Sequence, residues 1–190
     1  MRAACRRRKR TPLACAVRSC WNSRVTIRFR PARPADVRAI AAIVAPYSAR
    51  RILIAKELIS YFEDVQEFIV ACEDERVIGC GALHVLWDDI AEIRTLAVAE
   101  EFLGAGVGHR LLGKLEDRAR SLGLKRLFCL TFEVDFFARH GFHPIAGTPV
   151  GMDAFQEMLR SHDDGIAEFL DLAKVKPNTL GNTRMLKELY

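Results

Sequence analysis

Apolar residues change their spacing several times along this chain, and each change marks an element. Thr26 to Arg30 alternates over the length of a short strand, which Pro31 and Pro34 close. Behind Asp36, the residues Val37, Ile40, Ala41, Ile43 and Val44 recur at helical spacing, and Pro46 is expected to stop that helix. A second helical stretch runs from Lys56 to Glu63. The segment EFIVACEDERVIGCGALHVLWDDIAEIRTLAV then holds apolar runs parted by EDER and by WDD, which predicts an antiparallel meander. After Val98 the pattern passes from strand to loop to helix. AEEFLGAGVG is followed by HRLLGKLEDRARSLG, with Val107, Leu111, Leu112, Leu115, Ala119 and Leu122 on one face and Gly123 at the end. Lys125 to Phe132 is apolar over a strand's length, and VDFFARHGF reads as a short helix closed by Gly141. This order predicts an α/β sandwich built on a mixed sheet.

Composition narrows the class. At 190 residues and 50% hydrophobic, the chain can form one domain with a substantial core. The net charge of +5 suggests a polyanionic partner only until its distribution is read: eight of the 29 basic residues lie in residues 1–26 with no acid, leaving 21 against 24 acids. The body is mildly acidic, so no nucleic-acid partner is expected. Residues 1–26 are read as a basic, disordered extension. The other readings are a transit peptide, an upstream stretch read through from an early start codon, and a nucleic-acid or nuclear-localisation patch at RRRKR. Cys72, Cys80 and Cys129 sit in apolar runs without a CxxC pair and read as buried thiols of a reducing compartment. No apolar run reaches the ~20 residues of a membrane span, and without a ~7–15-residue apolar stretch in the tail no secretory signal is expected.

Candidate chemistry centres on LAVAEEFLGAGVGHRLL, where Gly104, Gly106 and Gly108 alternate as a strand gives way to an amphipathic helix. Such a loop turns successive backbone N–H groups toward one point, and the helix's first-turn amides add partial positive charge, a combination suited to a pyrophosphate. A plain glycine-rich turn is the alternative. A Rossmann fingerprint should lie in the first βα unit, and a P-loop needs GKS or GKT, so neither fits.

EIRTLAVAEEFLGAGVGHRLL followed by KRLFCLTFEVDFFARHGF resembles the two signature motifs of the GCN5-related N-acetyltransferases (GNAT), over residues 27–190. The resemblance implies a GNAT fold: a single α/β domain with a mixed, mostly antiparallel central sheet flanked by helices. It implies acetyl-CoA as co-substrate and no metal. Leu96, Ala97 and Val98 would meet the pantetheine arm, and Leu103, Gly104, Ala105, Gly106, Val107 and Gly108 would take the phosphates. Leu103 departs from the family's Arg or Gln, which matters less where backbone amides do the gripping.

EFIVACEDERVIGCGALHV, EIRTLAV, LFCLTF and VKPNTLGNTRMLKEL look like the short amino-acid N-acetyltransferases of arginine biosynthesis, similar to the acetyltransferase half of N-acetylglutamate synthase; 190 residues leave no room for a kinase domain. An acceptor α-amine has a pKa near 8, so at pH 7 roughly nine in ten are protonated and a base is required. Glu92 matches the family's catalytic glutamate; its alternative is a strand carboxylate paired with Arg94 or facing solvent. By the same resemblance Lys56, Asn178, Asn182, Thr183 and Arg184 form the substrate-binding set, since a buried carboxylate needs a cation and donors. The synthases' C-terminal arginines fall at Gly181 and Asn182, a departure that leaves glutamine open beside glutamate. Many family members reprotonate the thiolate with a tyrosine where this chain has Phe136 and Phe137; Phe137 reads as core, with water or Thr131 as donor. His140 and His143 read as loop packing, His84 and His109 as bland, and Trp87 as a turn anchor.

The expected activity is acetyl transfer from acetyl-CoA to the α-amine of L-glutamate, in the cytoplasm, with organelle targeting as the alternative and homodimerisation open. The rivals are a GNAT enzyme for another amine (a protein N-terminus or a polyamine), a non-catalytic acetyl-CoA sensor, and a nucleic-acid module resting on the tail alone.

Overall fold

The computed structural model describes residues 26–170 and 181–190, so most of the basic extension and Asn178 lie outside the described residues. The meander forms as its polar breaks dictate: β2 (Phe68–Glu73), β3 (Arg76–Val85) and β4 (Ile90–Val98) pair antiparallel in succession, with β1 (Ile27–Pro31) on the outer side of β2. β5 (Arg126–Thr131) runs parallel to β4. β7 (Thr183–Glu188) inserts between β5 and the two-residue β6 (His143–Pro144), giving the order β1-β2-β3-β4-β5-β7-β6. Among the described residues only the β4–β5 pairing is parallel.

Helices cover both faces, which is why β2 is buried almost throughout rather than alternately. Ile69 and Ala71 join a core with Val107, Leu111, Leu112, Leu115 and Ala119 of α3 (Val107–Ser121). Their neighbours Val70 and Cys72 point the other way, to Val37, Ile40 and Val44 of α1 (Val37–Ala49) and Tyr61 of α2 (Leu58–Glu63). A third cluster, with Ile90, Phe128, Phe169 and Leu186, lies under α5 (Met152–Met158) and α6 (Asp164–Phe169). The remaining helix, α4 (Val134–Ala138), follows β5.

Several local expectations need correction. Pro46 lies inside α1 rather than ending it: near the C-terminus its missing N–H costs one bond, and its carbonyl still accepts Arg50 N–H at 3.2 Å. Lys56 stands before α2, whose N-cap is the extended Glu57. Leu122 is 55% exposed because it sits at the C-cap of α3, past the buried stripe, where Gly123 turns the chain at φ +78°. The strand β7 and helices α5 and α6 have no counterpart among the elements that the apolar spacing predicts.

Two irregularities in β4 shape the space beside it. Cys80 pairs with Ala97 but Ala82 pairs with Arg94, so Gly81 alone faces both Thr95 and Leu96, and Thr95 takes up this bulge at φ +53°. Beyond Glu92, β4 has no partner on β5: their shared rungs are Ile90–Arg126, Ala91–Leu127 and Glu92–Phe128. The sheet therefore forks at Glu92.

Candidate active site

The fork opens into a cleft of about 490 Å³. One wall is β4, through Ile93 and Thr95–Val98; the other is the end of β5 with α4, through Leu130, Thr131, Phe136 and Phe137. Val98 presents its backbone to this space, since its carbonyl accepts the Tyr47 hydroxyl at 2.6 Å and Tyr47 lines the cleft. In a strand the N–H and C=O of one residue share an edge, so the Val98 N–H faces the cleft too.

The glycine loop closes the mouth. Gly104 and Gly106 hold φ +79° and +76°, and Gly106 is the N-cap of α3. A Cβ at either would meet nothing within 4 Å, so the requirement for glycine there is conformational rather than steric. Among the described residues no side chain caps α3, and no acid occupies its first turn, which leaves the first-turn amides to whatever enters. Leu103, Gly104, Gly106, Val107 and Gly108 all line the cleft, while Ala105 does not. Arg50 lines it as well, stacked 5.0 Å from the Tyr47 ring centroid.

Glu92 lies at the last shared rung and is buried, outside the cleft lining. Its Oε2 accepts Arg94 Nε–H at 2.7 Å, the partner available two residues along the same strand face. Among the described residues no donor reaches Oε1. Burial raises the Glu92 pKa, with Arg94 opposing that shift. Arg94 continues to Asp163 at 2.8 and 3.2 Å. Burial works against the Arg94 charge, but Glu92 and Asp163 outweigh it, and its pKa rises. Burial likewise acts to raise Asp163, but the Arg94 fork dominates and holds it down to about 2. His84, opposite Glu92 on β3, pairs with Glu67 at 2.6 Å.

The acceptor candidates are distributed differently. Lys56 pairs with Asp64 at 3.0 Å. Arg184 stacks on Phe128 and donates to the carbonyls of Gly147, Glu168 and Phe169. Thr183 opens β7 opposite Thr131, and Asn182 precedes it; neither lines the cleft. Thr131 does, and its Oγ1 accepts Glu133 N–H at 2.9 Å, leaving its own proton to donate. Phe137 is buried, while Phe136 packs against His109 and His140, whose rings hydrogen-bond at 2.7 Å (Nδ1 to Nε2). His140 stands in the turn before Gly141, and this ring contact adds to the packing of that turn. Among the described residues no group of three or more His, Cys, Asp or Glu could hold a metal ion, and no helix is long and apolar enough to cross a membrane.

Sequence reasoning missed Tyr47, Arg50 and Asp163. Tyr47 and Val98 are 51 residues apart and Arg94 and Asp163 69 apart. No local spacing signals such pairs.

Comparisons with known proteins bear on this geometry. The profile of the Acetyltransferase (GNAT) family matches residues 27–142. The chain is 55% identical over 160 residues to an amino-acid acetyltransferase of Mycobacterium tuberculosis, covering 83% of this chain and 91% of that protein. It is 34% identical over 119 residues to an amino-acid acetyltransferase of Neisseria meningitidis, spanning 27% of that longer protein. Among solved structures it resembles Rv2747 from M. tuberculosis, crystallised in complex with CoA and NLQ, at TM-score 0.82 and 53% identity over 85% of this chain and 99% of that one. N-acetylglutamate synthase from Neisseria gonorrhoeae, complexed with coenzyme A and N-acetyl-glutamate, matches at TM-score 0.70 over 87% of this chain and 35% of that one; at 24% identity this likeness concerns the fold alone.

Proposed function

The chain belongs to the acetyltransferase (GNAT) family, and on that premise we propose that it transfers acetyl from acetyl-CoA to the α-amine of L-glutamate, with L-glutamine as the competing acceptor. The observation that carries this reading is the fork itself: a sheet that parts at a buried carboxylate, with a glycine-rich helix start at the mouth of the opening. The cleft suits acetyl-CoA as substrate. Gly104, Gly106 and the first-turn amides of α3 receive the pyrophosphate, Arg50 adds a cation, and the Val98 N–H meets the pantetheine arm.

Glu92 accepts a proton from the acceptor's ammonium at Oε1, through one water because it stands back from the cleft lining. Its raised proton affinity suits that task. The freed amine attacks the thioester carbonyl, whose developing charge the β4 backbone amides stabilise, and the C–S bond breaks as the new C–N bond is completed. The leaving thiolate takes a proton from Thr131 or from water, the second proton shed by the attacking nitrogen restores that donor through solvent, and Glu92 releases its own proton to solvent. Lys56, Asn178, Asn182 and Thr183 are the acceptor-carboxylate candidates in this reading, while Arg184 serves by holding α6 and the Gly147 turn against β7.

The same proposal takes residues 27–190 as one acetyltransferase unit and the reaction as the entry to arginine biosynthesis. The three buried free thiols among the described residues support a reducing, cytoplasmic setting. The test is thiol release from acetyl-CoA with glutamate, glutamine, a polyamine and a peptide amine as separate acceptors. We expect saturable rates with glutamate or glutamine; background rates with both would overturn the assignment.

A further inference from the structure

Arg94 is nearly sealed from solvent, yet its bonds are unevenly shared. Glu92 receives one, from Nε, while Asp163 receives the bidentate pair from Nη1 and Nη2. Asp163 stands immediately before α6, and its Oδ1 also accepts Ile166 N–H at 2.8 Å, so the carboxylate is fixed from both sides. The backbone beyond it is fitted to the guanidinium: a Cβ on Gly165 would overlap Nη2 and lie 2.7 Å from Cζ of Arg94. A residue with any side chain there would push Arg94 away. An incidental ion pair would not need a glycine floor beneath it.

We propose that Asp163 is a positioning residue for Glu92: acting through Arg94, it fixes the Glu92 carboxylate at the fork and preserves its strength as a base. The inference rests on the reading of Glu92 as the base. One cation shared between the buried Glu92 and the partly buried Asp163 leaves a net negative cluster, which welcomes a proton. With Asp163 held down to about 2, the member that takes the proton is Glu92. Without Asp163, Arg94 would serve Glu92 alone and make it a weaker base. The other groups around Glu92 are His84 across the β3 rung, with Glu67 behind it, and on β5 the Cys129 thiol, kept protonated by burial. From β7, Arg184 lies over the Phe128 ring, and Phe128 is the rung partner of Glu92. Arg184 meets α6 at the Glu168 and Phe169 carbonyls, whereas Arg94 donates both to Glu92 itself and to Asp163 at the start of α6.

Asp163→Asn and Asp163→Ser separate this role from helix capping, because Asn and Ser cap as well as Asp while neither offers Arg94 a carboxylate. Thermal melts report that each variant is folded. With glutamate as acceptor, the acid limb of the kcat–pH profile is expected to move down by about one pH unit. Plateau kcat should fall roughly tenfold, with KM for acetyl-CoA unchanged. Two folded variants with the parent limb and parent kcat would overturn the proposal and leave Asp163 as a cap. Glu92→Gln is measured alongside. If it loses activity while the Asp163 variants do not, only the positioning role fails; if it turns over at the parent rate, the base assignment fails and the positioning role with it.

Discussion

Replacing Gly106 by alanine perturbs one torsion and nothing else. Gly106 holds φ +76°, and the added Cβ meets no atom within 4 Å, so packing contributes no penalty. The cost is that of an L-residue in the left-handed region, about 1–2 kcal/mol. If the loop keeps its shape, that cost appears in stability, lowering Tm by about 2–8 °C for a chain of this size. If instead the torsion relaxes, the amides at the start of α3 turn away and the cost appears in CoA affinity, as a loss of roughly 5- to 30-fold. Gly108 supplies the contrast. It lies inside α3, and its Cβ would sit 3.7 Å from Phe136 and 3.8 Å from Val98, ordinary contacts. Gly108→Ala should therefore raise stability by less than the ~1 kcal/mol of a mid-helix exchange, because Gly108 stands in the first turn of α3. Thermal melts and calorimetric titration with CoA on both variants are the assay. A Gly106→Ala protein with unchanged Tm and unchanged CoA affinity would refute the conformational reasoning, as would a Gly108→Ala protein destabilised more than Gly106→Ala.

Tyr47→Phe removes the hydroxyl that caps the Val98 carbonyl and should cost about 1 kcal/mol in chemical denaturation. It should also raise KM for acetyl-CoA more than it lowers kcat. Arg184→Met keeps the stem over Phe128 but deletes the donors to Gly147, Glu168 and Phe169. Faster amide exchange across α5 and α6, with β2 and β3 unchanged, is the expected result. Asp163 titrates at about 2 when folded, against an ordinary value of 3.8, so its stabilisation is present above about pH 4 and disappears as pH falls toward 2. Urea denaturation at stepped pH should accordingly find Asp163→Asn less stable than the parent at pH 5 and the two converging toward pH 2.

Legibility in the sequence followed the range of the interactions involved. The meander could be read because charged turns interrupt its apolar runs, and α3 because Leu111, Leu112, Leu115 and Ala119 repeat at helical spacing against one face of the sheet. The Glu92–Arg94 pair was foreseeable as two residues on one strand face. Strand β7 was not: in TRMLKE the adjacent Met185 and Leu186 are both buried, because each face of the sheet is covered there, so no alternation announces a strand. What makes it one is the open edge of β5, supplied by residues more than fifty positions earlier. The Thr95 bulge and the Tyr47–Val98 bond depend in the same way on partners that only the folded sheet brings close.

Every step of the proposed chemistry converges on the passage of the acetyl group to the acceptor's α-nitrogen. Incubating the protein with acetyl-CoA labelled with ¹³C at the thioester carbonyl, together with ¹⁵N-glutamate, and recording the one-bond ¹³C–¹⁵N coupling of the product by NMR tests that passage without an intermediary. The coupling is expected to appear, to grow in step with thiol release and to be lost in Glu92→Gln. Thiol release from the parent protein with no coupled amide, or no turnover with either glutamate or glutamine, would contradict the proposed reaction.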